Sequence, residues 1–152
     1  MCGRSSTNFG GIPLTDDGGL AKFQARMRAI PKAVRVAVEP ALIKGGEELV
    51  GTMRQIAPED SGDLKHSIKY TPPGQMTPPY SQPGGSRVAG ENEVIVTAGD
   101  ADVRYAHLVE HGTTEAQAQP FFWPAVRLTR KRIANRIKRA IGKAVKDNWG
   151  GR

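Results

Sequence analysis

Apolar residues return at helical spacing between Leu20 and Ala57: Leu20, Phe23, Met27 and Ile30, then Val34, Val38 and Leu42, then Leu49, Val50, Met53 and Ile56. That period predicts helix. Pro31, Pro40 and Gly45-Gly46 interrupt it, and a proline is tolerated in a first turn but bends or breaks a helix interior. The pattern therefore predicts a short helix ending near Ile30 and a longer, kinked one from Pro31 to Ala57, with Asp16-Asp17 as caps at the start. The stretch APEDSGDL (57–64) reads as a helix stop followed by a turn, because Pro58 cannot continue the helix and Ser61-Gly62 has turn chemistry. Ser67 to Tyr70 predicts a short strand. Glu93 to Ala98, with β-branched alternation, predicts a second strand that pairs with the first.

The last periodic segment runs from Pro124 to about Asn148. At 100° per residue, Val126, Ile133, Ile137, Ala140, Ile141 and Ala144 fall on one side, while Arg127, Lys131, Arg132, Arg136, Lys138, Arg139, Lys143 and Lys146 cover the other. This predicts an amphipathic helix with an almost purely cationic outer face. Two stretches have no period. Residues 1–19 are rich in Gly, Ser, Thr and Asp, and predict a flexible arm that buries too little apolar surface to offset its ordering entropy. Residues 71–86, TPPGQMTPPYSQPGGS, hold five prolines and three glycines and predict an extended surface loop with no core of its own. The expected organisation is one domain over 20–148, between the arm and a short tail at 149–152.

Composition narrows the setting. A chain of 152 residues has the usual size of one domain and buries a modest core without disulfide or metal staples. No apolar run reaches the eighteen or so residues of a membrane span. Cys2 is the only cysteine and the N-terminus lacks the apolar run of a signal peptide, so the expectation is synthesis in a reducing cytosol without a disulfide. The net charge of +7 is unevenly placed: residues 127–152 hold ten Lys and Arg against one acid, a balance of +9, and residues 1–126 hold twelve against fourteen, a balance of −2. Any electrostatic partnership belongs to the C-terminal helix. Its face has no base-reading polar pattern and no interleaved aromatics, so contact with phosphates or an acidic protein surface is expected rather than recognition of a sequence.

Two motifs suggest catalysis and do not survive their context. His107-Leu-Val-Glu110-His111 matches the H-x-x-E-H zinc pattern, with both histidines on one face of any helix they occupy. Gly112-Thr113-Thr114 stops such a helix at once, and the rest of the chain supplies no convincing further ligand. Met1-Cys2-Gly3-Arg4 resembles the start of enzymes that use an N-terminal cysteine nucleophile, but nothing nearby activates the thiol.

Three blocks stand in order along the chain: Ala57-Pro58-x-x-Ser61-Gly62-x-Leu64-x-x-Ser67-Ile68, Tyr105-Ala106-x-x-Val109-Glu110-x-Gly112-Thr113, and Gln119-Pro120-Phe121-Phe122-x-Pro124-Ala125. Together they resemble the tail-completion or neck protein family of long-tailed, siphovirus-type bacteriophages, the minor tail component family related to lambda minor tail protein Z. The resemblance covers about residues 20–147. Where family members commonly carry an aromatic between Glu110 and Gly112, this chain has His111, and that departure completes the accidental zinc pattern.

The resemblance implies an α+β subunit, a small antiparallel sheet flanked by a long N-terminal helix and the basic C-terminal helix. It implies a structural virion protein of the head–tail junction, made in the host bacterial cytoplasm, with no catalysis, no metal and no cofactor. Partners so implied are further copies of itself in a ring, head-closure, tail-terminator or tail-tube proteins beside it, and genomic DNA in the channel, but no membrane. A tail terminator, a head-closure protein and a small nonspecific DNA-binding protein are the alternatives. On this reading Pro58, Gly62, Leu64, Tyr105, Glu110, Gly112, Thr113, Pro120, Phe121 and Pro124 have structural roles. Glu110 is expected to fix its turn by a hydrogen bond or an ion pair, which an adjacent subunit could complete. Charge reversal at Arg132, Arg136 and Arg139 is expected to impair assembly more than folding.

Overall fold

Two long helices, packed against each other, dominate the chain. The computed structural model describes residues 18–149. The expected arm and its Cys2 lie outside the described residues, apart from the arm's last two positions, as does all but Trp149 of the expected tail. Helix α1 spans Gly18–Ile56, a length of about 58 Å at 1.5 Å per residue. Helix α4 spans Phe122–Trp149. Between them lie α2 (Asp63–Ser67), β1 (Lys69–Thr71), β2 (Ile95–Thr97) and α3 (Ala106–His111). The architecture is α+β, as the resemblance implies.

Helix α1 is continuous where the sequence predicts two pieces. Pro31 and Pro40 both lie inside it and both are exposed. Each removes one backbone donor, and around Pro40 the burial of Val38, Ala41, Val50 and Met53 holds the helix in spite of that, since packing of an apolar face outweighs propensity. Gly45-Gly46, which the sequence presents as a breaker, is where α1 makes close contact with two other parts of the fold. A Cβ on Gly45 would sit 2.8 Å from Cγ2 of Ile133 in α4, and one on Gly46 would sit 2.9 Å from Cγ1 of Val94 and 3.3 Å from Cβ of Tyr70. The missing side chains let α1 touch α4 on one side and the sheet on the other. The two long helices run antiparallel: Gly45 meets Ile133, while Met53, further along α1, shares its core with Ala125 and Phe121, earlier in the chain than Ile133.

The sheet has two strands, paired antiparallel with Lys69 opposite Thr97, Tyr70 opposite Val96 and Thr71 opposite Ile95. The expected pairing holds, but both strands are shorter than their patterns suggested. Ser67 closes α2 instead of opening a strand. The reason is that Leu64, Ser67 and Ile68 are all buried, a spacing of three and four that one helical turn satisfies and a strand does not. The Ser67 hydroxyl donates to the Leu64 carbonyl at 2.7 Å and accepts from the Gly99 amide at 3.1 Å.

The proline-rich segment is better tied than its composition implies. Single bridges join Met76 to Val88 and Gln82 to Ala98, the second continuing the line of β2. Thr77 is buried. Its hydroxyl donates to the Gly85 carbonyl and accepts from the Arg87 amide, each at 2.9 Å. The sequence expects no buried position here; Thr77 and Ser81 are both buried, Thr77 because a polar side chain that bonds the backbone locally can close a loop that has no apolar anchors, and Ser81 with its backbone amide donating to the Pro78 carbonyl and its carbonyl accepting from the Gly85 amide.

One core cluster gathers Val50, Met53 and Ala57 from α1 and its end, Leu64 and Ile68 around α2, Ala98, Val103 and Ala106 between β2 and α3, and Phe121 and Ala125 at the start of α4. Each of the three sequence blocks contributes to it.

Candidate functional site

Helix α3 is six residues long and stops at Gly112, whose backbone sits at φ 76° and ψ 175°. That region is open essentially to glycine alone. A Cβ there would also lie 2.7 Å from the Ala118 nitrogen, so the chain after α3 folds back tightly over its own end. The Gln119 amide donates to the Val109 carbonyl at 2.8 Å. Thr113 closes the loop: its hydroxyl accepts from the Ala116 and Glu115 amides, and its own amide donates to the Ala116 carbonyl at 2.9 Å.

This fold-back delivers the start of α4 to Glu110. The buried carboxylate accepts from the Phe121 amide at 2.7 Å and the Phe122 amide at 2.9 Å through Oε2, and from the Trp123 amide at 3.1 Å through Oε1. A helix leaves its first four N–H groups without intrahelical partners. Here Glu110 takes three amides at the helix entry, and the next residue, Pro124, has no N–H to satisfy. A carboxylate at this position also faces the positive end of the helix dipole. Glu110 thus makes the hydrogen bonds expected to fix its turn to backbone amides of its own subunit, and among the described residues no basic side chain pairs with it.

The remaining block residues assemble around this cap. Phe121 is buried at 1% exposure, Phe122 is half-buried, and Trp123 is 48% exposed with its ring edge-on to Phe122, centroids 5.4 Å apart. Of the aromatic trio at the helix entry, then, Trp123 largely faces outward. Pro58, Gly62 and Leu64 meet Tyr105 and Val109 around a crevice of about 30 Å³, with Gly62 at φ 83° opening α2. The Tyr105 carbonyl accepts from the Leu108 and Val109 amides and so begins α3, while its side chain stays 41% exposed. Pro120 is exposed and Pro124 half-buried at the helix entry.

The zinc pattern dissolves in this geometry. His107 and His111 are exposed at the rim of a cleft of about 110 Å³ floored by Ala98, Ala106 and Phe121, whereas Glu110 is turned inward to the amides. Among the described residues no group of three His, Cys, Asp or Glu is arranged to hold a metal ion.

The cationic residues of α4 divide into two sets. Arg132 and Arg136 reach back to α1, where Glu48 pairs with both, at 2.7 Å for Arg136. The hydrogen bond from Arg136, aided by the charges of both guanidinium groups and opposed by burial, holds the Glu48 carboxyl below its ordinary range. Arg127, Lys131, Lys138, Lys143 and Lys146 are exposed, and none has an acidic partner among the described residues. Arg139 donates to the Asn135 carbonyl. Arg130, which the helical wheel leaves out of the cationic face, belongs with the outward set.

Sequence reasoning also misses Glu48, and Arg54, which donates from α1 to the Lys65 and Ile68 carbonyls at the end of α2. Both are charged residues in a helical pattern. Their partners are set by which helix crosses which, and no local signal carries that.

A family model described as "Bacteriophage HK97-gp10, putative tail-component" matches residues 21–112, ending at the glycine that follows α3. Comparison with curated proteins and with solved structures gives no match.

Proposed function

The chain belongs to the HK97-gp10-like family of bacteriophage tail components, and from that premise we propose that it is a ring-forming structural subunit of the neck, which completes the tail or joins it to the head. The observation that carries the ring is the apolar surface a lone subunit leaves in water around the capped junction. Tyr105, Leu108 and Trp123 are 41, 43 and 48% exposed, all on or beside α3 and the start of α4. Exposed large apolar side chains favour burial against a neighbouring subunit. No helix among the described residues is long and apolar enough to cross a membrane. The subunit works by contact and not by catalysis, and its place is the virion.

Disrupting the gene in the phage tests this. The expected outcome is filled heads and finished tails that fail to join, with joining restored by adding the purified protein, and a closed oligomer of one defined size by native mass spectrometry. Tails of uncontrolled length would assign the subunit to tail termination instead, and heads that leak DNA would assign it to head closure. Normal particles, together with absence of the protein from purified virions, would overturn the neck assignment.

A further inference from the structure

We propose that the outward face of α4 binds double-stranded DNA through its phosphates, without regard to base sequence. The proposal names a partner for the neck subunit and takes its biological setting from that reading, while its physical basis is the face itself.

The internal pairing of α4 is selective. Glu48 neutralises Arg132 and Arg136, the guanidinium groups on the flank nearest α1. Among the described residues no acid serves the outward cations, and Asp147 is the one acid in the helix. A solvated helix face normally intersperses both signs; this one does not. Complementing the negative end of the helix dipole accounts for cations in the last turn only, which leaves Arg127, Arg130, Lys131 and Lys138 unexplained by folding.

What lies between the cations separates DNA from an acidic protein. Ala134, Asn135 and Gly142 are exposed along the helix, small residues that let its axis approach a phosphate backbone closely. Protein interfaces bury an aromatic or aliphatic anchor at their centre and are depleted in lysine. The exposed large apolar residues of α4 are Trp123, Leu128, Ile141 and Trp149, which leaves residues 129–140, the middle of the stripe, without an exposed anchor. From Arg127 to Lys146 the stripe is about 28 Å long at 1.5 Å per residue. Duplex DNA presents one charge per about 1.7 Å of axis, so a helix of that length laid along it meets several phosphates at once. The stripe carries a single amide, Asn135, and contacts to phosphates carry no sequence information, so such contact would leave the duplex free to slide.

The test is a titration of the full-length protein with fluorescent duplexes of two unrelated sequences at a series of salt concentrations. The two duplexes are expected to bind alike, with log K falling against log salt at a slope of about −5, as five to six phosphate contacts require. Replacing both Lys131→Gln and Lys138→Gln should flatten the slope by about 2. The same pair changed to Glu should lower affinity more than about tenfold near physiological salt, with thermal melts unchanged because both side chains are exposed. Arg35→Gln, on α1, should bind like the parent. A slope shallower than about −2, or Gln and Glu variants that bind like the parent, would overturn the proposal. So would polyglutamate displacing the protein from duplex more effectively than unlabelled duplex does, which would assign the face to an acidic protein. A failed titration leaves the head–tail joining result standing, and absence from virions leaves the titration standing, so the two readings fail separately.

Discussion

At the scale of single residues, Glu110 connects the most. It binds three amides at the entry of another element with two oxygens, so the two obvious substitutions should differ. Glu110→Ala strands three donors at a buried helix start and should cost about 2–3 kcal/mol, a lost cap plus a lost charge at the helix dipole. Glu110→Gln keeps one oxygen and turns an amide NH2 toward a donor, for about 1–2 kcal/mol. Thermal melts give the totals, and amide exchange at Phe121, Phe122 and Trp123 should rise ahead of exchange in the core. Equal melting temperatures for all three proteins would refute the cap. Along the sequence alone, Glu110 stands out only as a member of a zinc-like pattern and of a longer block. The spacing H-x-x-E-H describes one turn of helix and says nothing of which way its middle carboxylate points; that depends on Gly112 reversing the chain, and on amides eleven to thirteen residues further on.

Between elements, the crossing of α1 and α4 rests on a steric contact and an ionic one. Gly45→Ala gains helix propensity of up to about 1 kcal/mol but places a methyl 2.8 Å from Ile133, and overpacking costs about 1–3 kcal/mol. A net loss is expected. Ile133→Ala should turn it toward a gain by vacating the space, so that a double-mutant cycle shows coupling above about 0.5 kcal/mol. Additive effects would place the contact elsewhere. The ionic contact has a pH signature. The carboxyl of Glu48 is depressed in the folded state, so its contribution is complete above the ordinary carboxylate range and is lost as pH falls through the lower folded value. Arg132 is largely exposed, which limits the pair to about 1 kcal/mol, or roughly 2–4 °C in melting temperature for a chain of this size. Glu48→Gln should show that deficit at neutral pH and lose it as the carboxyl protonates in acid. A deficit independent of pH would mean that packing carries it. The same contacts explain why Arg132 and Arg136, expected to serve assembly, are poor choices for testing it: reversing them strains the α1–α4 seam. Periodicity finds both helices and the faces they bury. It does not find the crossing point, because a pair of glycines reads as a break when seen along one helix and as a contact only when the second is present.

At the scale of the whole molecule, the family match ends at Gly112, but the fold does not. Phe121 and Ala125 sit in the same core as Met53 and Ile68, and Glu110, inside the matched part, has its amide partners outside it. The third sequence block is legible for this reason: its prolines and aromatics mark a helix entry that the second block is built to receive. The proline-rich segment is not legible, since its order comes from Thr77 bonding to Gly85 and Arg87 across the loop, and such bonds leave no period. The matched part alone should therefore not fold. Removing a buried phenylalanine side chain costs about 3–5 kcal/mol against a typical domain stability of about 5–15 kcal/mol. A chain ending at Gly112 loses Phe121, Ala125 and the α4 partner of Gly45 together. Circular dichroism of that truncated chain should show no cooperative melt, and adding a peptide of residues 113–152 should restore one. A cooperative melt without the peptide would make α4 an appendage that carries charge, whereas restoration by it would make the cationic helix and its entry a necessary part of the core that holds the rest of the subunit in shape.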